Sequence, residues 1–156
     1  MVKRSKYGLT KVARRKLYAP KHGSRQTFYA LNGSTKIRHG ISKLELEILS
    51  YIPEAEKSVL IRGFNNKIYI VDGYIRNKRE IIEILGDYWH GNLQKYKPFE
   101  INTMCNKTMQ QLYNETLERF HMFYTLGYTI RFIWEKDWRE KHSLGRYYRG
   151  SGDNLY

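Results

Sequence analysis

A chain of 156 residues that is 41% hydrophobic and 28% charged, with 14 Tyr, 6 Phe and 3 Trp, has the composition of a globular domain and not of a disordered segment. Its single cysteine excludes an intramolecular disulfide and a cysteine-rich zinc site, and no apolar run reaches the ~18–20 residues of a membrane-spanning helix. The formal charge of +13 is lopsided: residues 1–44 hold 12 Lys/Arg and no acid, and the other 112 hold 16 Lys/Arg against 15 acids.

Residues 1–40 therefore read as a basic arm. Gly8, Pro20, Gly23, Gly33 and Gly40 break it, leaving room for two helical turns at residues 10–18 and a short strand at residues 26–31. Lys3, Arg4, Lys6, Lys11, Arg14, Arg15, Lys16, Lys21 and Arg25 are the cations expected to neutralise phosphates. A solvated tail or an Arg-rich transit peptide would share their charge, but Tyr7, Tyr18, Phe28 and Tyr29 among them fit backbone clamping with stacking or groove contact better. No apolar signal-peptide core accompanies this start, so the expected address is the cytoplasm.

Residues 41–142 read as an α/β domain. Ser42, with Glu45 three residues on, predicts a capped helix whose apolar face is Leu44, Ile48, Leu49, Tyr51 and Ile52 and which Pro53 ends. Three strands are expected at residues 58–62, 67–71 and 80–85, the last a continuous apolar run suited to a central strand. Residues 91–105 read as a loop. Met109, Leu112, Tyr113, Leu117, Phe120, Phe123 and Tyr124 recur at three- and four-residue steps, predicting one amphipathic helix over residues 107–126 with Gly127 beyond its end. A strand at residues 128–134 and a helical stretch to His142 follow, and residues 143–156 read as a loose tail. This order predicts a mixed sheet flanked by helices.

The chemistry-bearing residues cluster in residues 72–92, DGYIRNKREIIEILGDYWHGN. Asp72 before Gly73 has a plain alternative as a turn-forming Asp-Gly. Glu83, inside an apolar strand, needs a partner, a metal or a solvated sheet face. The two strands should pair, which lets both carboxylates reach one Mg²⁺. His90 after Trp89 is either structural or a proton acceptor, and Asp87 either its partner, a metal ligand or a turn residue. Most helix glutamates face solvent. Glu45 already has a capping role, which leaves Glu47 ahead of it, and Glu118-Arg119 on the polar side of the long helix can approach the sheet, with Glu115 as an alternative acid.

Taken in order, Asp72 after a strand, Gly86-Asp87-Tyr88-Trp89-His90-Gly91, Thr116-Leu117-Glu118-Arg119 and Leu126-Gly127-Tyr128 leading to Trp134-Glu135 resemble the very-short-patch repair endonucleases and the related EDxHD homing endonucleases of phages and viruses. The resemblance covers about residues 41–140. It implies a restriction-endonuclease-like fold of the PD-(D/E)xK superfamily and Mg²⁺-dependent (or Mn²⁺-dependent) hydrolysis of double-stranded DNA. By position it makes Asp72 and His90 catalytic, with Glu47 or Glu45 and Glu118 or Glu115 completing the set and Glu83 a second metal ligand. Where the repair enzymes carry zinc-binding cysteines, Asp87, Asn92 and Lys136 stand here, so no zinc is expected. Leu85 fills the usual lysine slot, and the long-helix acid of the repair enzymes falls on Thr116. These departures keep open a non-catalytic nucleic-acid-binding scaffold in a larger assembly, and the tyrosine-rich arm keeps open a binder of structured RNA.

Overall fold

The computed structural model describes residues 41–64 and 66–156, together with the backbone of two short strands in the basic arm. Those strands, β1 (Gln26–Tyr29) and β2 (Lys36–His39), pair antiparallel with Gln26 opposite His39. The helical turns expected at residues 10–18 and the nine cations from Lys3 to Arg25 lie outside the described residues.

The body opens with α1 (Lys43–Ser50), whose N-terminus is capped as expected: Ser42 Oγ accepts from the Glu45 N–H at 3.1 Å. Then come β3 (Glu56–Arg62), β4 (Ile68–Ile75) and β5 (Glu80–Leu85). A two-residue pair follows, with β6 (Ile101–Asn102) inside the stretch read as loop and β7 (Lys107–Thr108) taking the first two residues of the stretch read as helix. The long helix α2 (Met109–Thr125) starts on a capping box in which Thr108 and Gln111 exchange side-chain and backbone bonds of 2.8 and 3.1 Å. Gly127 (φ +83°) ends it, as a residue without Cβ allows. Strand β8 (Thr129–Trp134), helix α3 (Glu135–Lys141) and strand β9 (Arg146–Tyr147) complete the fold.

The five long-range strands form one mixed sheet in the order β3-β4-β5-β8-β9, in which only β5 and β8 run parallel, with α2 between them in sequence. All six residues of β5 are buried, because the sheet is covered on both sides. Ile81 and Leu85 pack with Phe120 and Phe123 of α2, and with Ile130 and Phe132 of β8. Ile82 and Ile84 point the other way, to Ile48, Leu49 and Ile52 near α1 and Trp138 of α3. The alternation of one strand thus sorts the molecule into two apolar layers.

Two expectations are corrected. Asp72 is not a turn residue: β4 continues through Ile75, and Gly73 pairs with Ile82 inside the ladder. A Cβ at Gly73 would lie 2.9 Å from Leu49 Cδ2, so the glycine serves the packing of α1 on the sheet. Residues 143–156 are not loose. Strand β9 pairs with β8, Tyr148 and Leu155 are buried in the core under α2, and the Leu155 N–H donates to Tyr113 Oη at 2.9 Å. The indole of Trp134 donates to the Leu155 carbonyl, and Tyr156 stacks on Tyr113. Composition concealed this because the buried apolar side chains there are few and separated by glycines.

One residue of β3 is strained. Ser58 adopts φ +54° and is buried, and its Oγ is the single fully buried side-chain polar atom without a hydrogen-bond partner among the described residues. Left-handed backbone costs a non-glycine residue roughly 1–2 kcal/mol, and an orphaned hydroxyl adds to that. Ser58→Gly is therefore expected to stabilise the fold by about 1 kcal/mol in urea unfolding, after the entropic cost of glycine is subtracted. Leu155→Ala, by contrast, should cost about 2–4 kcal/mol in the same measurement, because it empties a core position.

Candidate active site

The ladder between β4 and β5 joins Ile75 to Glu80, Tyr74 to Ile81 and Gly73 to Ile82, and there the pairing stops. One step further the same register sets Asp72 opposite Glu83, and the two strands part. Side chains take over the backbone groups this leaves: Asp72 Oδ2 accepts from the Ile84 N–H at 2.7 Å, and Arg119 of α2 donates to the Ile70 carbonyl. The opening is a cleft of about 930 Å³ whose walls include Glu45, Asp72, Glu83, His90, Arg119, Trp89 and Glu135.

Arg119 places both Nε and Nη2 on one oxygen of Glu83, Oε1, at 3.1 and 2.6 Å. Glu83 shares its sheet face with Ile81 and Leu85, beneath α2, which is why the guanidinium of that helix can reach it. Asp72 Oδ1 and Glu83 Oε2 take no hydrogen bond from the described residues. Neither oxygen is sealed in the interior, since Ser58 Oγ alone has that status. Two carboxylate oxygens on opposed strands are therefore left facing the cleft.

Electrostatics favour uncharged or cation-bound forms of these acids. Burial, and then the charges of Glu83 and Glu45, hold the Asp72 carboxyl well above the usual carboxylate range. Burial also raises Glu83, against the opposing pull of Arg119. For His90, burial followed by the nearby Arg119 charge pulls the imidazole down to about 4, so the ring is neutral at pH 7.

A pinned turn positions His90. The Trp89 and His90 N–H groups both donate to the Gly86 carbonyl, at 3.1 and 3.0 Å. Gly91 has φ +64°, and a Cβ there would fall 2.0 Å from the Met109 carbonyl oxygen, so only glycine lets this turn seat on the start of α2. Asp87, fully buried, accepts from Asn92 Nδ2 (2.8 Å), Lys95 Nζ (3.1 Å) and the Lys136 N–H (3.3 Å). It is neither a partner of His90 nor a plain turn residue, but a node tying β5 to the start of α3. The three positions at which the resemblance would put zinc-binding cysteines are thus joined here by hydrogen bonds. His90 Nδ1 lies 3.0 Å from Thr116 Oγ1, and Thr116 Oγ1 donates to the Leu112 carbonyl at 3.0 Å.

Of the residues singled out from sequence, Asp72, Glu83 and His90 meet in the cleft, and Glu47 and Glu118 do not. Glu47 is exposed and turned toward α3, where it accepts from Trp138 Nε1 at 3.0 Å. Two residues along a helix turn about 200°, so the acid of α1 that lines the cleft is Glu45. Glu118 is exposed in a separate hollow of about 590 Å³ with Glu115, which pairs with Lys107 at 2.7 Å. From α2 the cleft receives Arg119, and Thr116, three residues earlier on the same helical face, is buried against His90. That spacing is readable in the sequence, but a hydroxyl and a guanidinium three residues apart do not by themselves mark a site.

Among the described residues no three or more His, Cys, Asp or Glu side chains gather closely enough to hold a metal ion. The opposed pair Asp72 and Glu83 nevertheless fits a hard divalent cation. Each offers a free oxygen, and both are destabilised as anions in a way that such a cation relieves. No protein-family model, curated protein or solved structure matches this chain.

The raised acids make a signed prediction. A carboxyl whose folded-state value lies above its unfolded one adds stability at low pH and loses it as pH rises through the folded value. Asp72→Asn removes that titration, and the amide oxygen can still accept from Ile84. In urea unfolding across a pH series, the variant should gain on the parent as pH rises above the ordinary aspartate value of 3.8, and the gap should close below it. A gap independent of pH would contradict the burial of a charge at this position.

Proposed function

We propose that the chain is a Mg²⁺-dependent DNA endonuclease in which residues 41–142 form a restriction-endonuclease-like, very-short-patch-repair-like domain and residues 1–40 a DNA-binding arm. The observation that carries this reading is the parting of β4 and β5, which exposes one oxygen each of Asp72 and Glu83 beside a neutral His90 and a guanidinium. Asp72 and Glu83 would hold the cation, Mg²⁺ or Mn²⁺, and zinc has no part in this reading. When bound, such a cation polarises a phosphoryl oxygen and makes a water molecule acidic enough to attack at neutral pH. His90 accepts a proton from the attacking water. Arg119, already at the cleft wall, offers a charge to the phosphate. Glu45 sets the electrostatic environment of Asp72 from α1.

The cations from Lys3 to Arg25 bind the phosphates of double-stranded DNA without reading sequence, and binding weakens steeply with salt. Among the described residues no helix is long and apolar enough to cross a membrane. A cytoplasmic enzyme is the proposal consistent with that arm.

One observation favours a second reading, a non-catalytic nucleic-acid-binding scaffold: Glu83 is already neutralised by Arg119 at 2.6 Å. Supercoiled-plasmid cleavage separates the two. The nuclease reading expects nicking or linearisation with Mg²⁺ or Mn²⁺, abolished by EDTA and lowered by about 10²-fold or more in Asp72→Ala and His90→Ala. Glu47→Ala and Glu118→Ala should keep most of the rate. Tight, salt-sensitive DNA binding without cleavage of plasmid or genomic DNA would favour the scaffold. Preference for structured RNA over duplex DNA at matched salt would overturn both.

A further inference from the structure

We infer that Thr116 is a positioning residue that holds the neutral His90 ring with its hydrogen on Nδ1, leaving the lone pair of Nε2 to the cleft. Its catalytic meaning rests on the nuclease reading above; the tautomer itself does not.

The assignment comes from counting protons. Thr116 Oγ1 has one hydrogen and lies 3.0 Å from two atoms, His90 Nδ1 and the Leu112 carbonyl oxygen. A carbonyl can only accept, so the hydroxyl hydrogen goes there if that contact is a bond. Oγ1 can then only accept from the ring, which puts the hydrogen on Nδ1. The reverse arrangement, with the hydroxyl donating to Nδ1, would give up the bond to Leu112 and make one hydrogen bond where the first makes two. Thr116 is buried, so water does not replace the missing one. Nε2 has no hydrogen-bond partner among the described residues, and His90 lines the cleft beside Asp72 and Glu83.

Thr116 itself cannot rotate away from the ring at low cost. It sits on the inner face of α2, and Gly91 brings the turn that carries His90 to within contact of the same helix at Met109 and Tyr113. A hydroxyl, unlike a carboxylate, orients the ring without adding a negative charge. The ring is therefore steered but not made cationic. In the reaction, Nε2 takes one proton from the attacking water while its oxygen forms the new bond to phosphorus. The bond to the leaving oxygen breaks, that oxygen takes a proton from solvent, and the imidazolium returns its extra proton to solvent.

Long-range ¹H–¹⁵N correlation of the metal-free, full-length protein at neutral pH tests the assignment without any nuclease assay. The expected spectrum shows His90 with a protonated Nδ1 and an unprotonated Nε2. The opposite pattern would overturn the proposal even if the protein cuts DNA, and the expected pattern in a protein that cuts nothing would leave the assignment standing and remove the nuclease reading. Thr116→Val, which keeps the shape and removes the hydroxyl, should release the ring into a mixture of tautomers and lower kcat about tenfold or more with KM little changed. Thr116→Ser should restore both the spectrum and the rate. Equal losses in the Val and Ser variants would mean that the residue only packs, and would also overturn the proposal.

Discussion

Everything in this fold is arranged around two carboxylates that face each other inside an apolar sheet. Asp72 and Glu83 stand opposite on antiparallel strands, one step past the last backbone pair. Two buried anions at that separation are mutually destabilising, and neither can be hydrated as it would be at a surface. The strands part at this pair, and the parting opens the cleft. A continuous ladder would have satisfied Ile84 and the Ile70 carbonyl and left no room. Asp72 and Arg119 instead cap those groups, so the side chains that define the site also terminate the sheet pairing cleanly.

Arg119 and Thr116 make helix α2 part of the same arrangement. The helix covers one apolar face through Phe120 and Phe123, and from the neighbouring face it reaches the cleft through Arg119 and holds the cleft's His90 through Thr116. Sliding or rotating α2 to repack the core would carry the guanidinium off Glu83 and the hydroxyl off His90. Removing one partner of a buried pair leaves a charge without compensation, which costs more than the pair itself contributes. Core packing and site geometry are therefore held to one solution. At the other end Asp87 does the equivalent for the 86–92 turn, joining it to α3 through Lys136 and to its own loop through Asn92 and Lys95.

The parts of this plan that depend on local periodicity were legible in the sequence. The capped helix after Ser42, the buried run at β5 and the three- and four-residue spacing of α2 each follow from one segment read alone, and each is present. Asp72, Glu83 and His90 were likewise legible: Glu83 because a carboxylate conflicts with an apolar strand, Asp72 from its place after an apolar strand, and His90 from its neighbours Trp89 and Asp87. What escaped depends on rotation and on distant pairing. Choosing between Glu45 and Glu47 needs the helix's angle to the sheet, and choosing Arg119 and Thr116 over Glu118 needs the angle of α2. Glu45 enters the cap through its backbone N–H, and its side chain lines the cleft, so a place in the first turn does not remove a residue from the site. The C-terminal residues looked loose because Leu155 and Tyr148 acquire partners only from Trp134, Tyr113 and Phe120, far away in sequence.

Charge distribution connects the cleft to the arm. Glu45, Asp72, Glu83 and Glu135 line the cleft, and Arg119, bound to Glu83, is the cation that faces them there along with Lys67 at its edge. A phosphodiester approaching that surface meets a carboxylate-rich wall that offers little attraction to a polyanion over the ~8–10 Å reach of Coulomb forces in physiological salt. The 12 cations and no acids of residues 1–44 supply the opposite field. Under the proposed function the two regions divide the task that a uniformly basic site would have to combine. The arm provides affinity for the backbone, and the cleft stays acidic enough to select a divalent cation. An arm of this charge with a neutral cleft would bind DNA indifferently to metal; an acidic cleft without the arm would have little means of holding DNA. Under that proposal the lopsided charge visible in the sequence complements the carboxylate pair at the centre of the sheet.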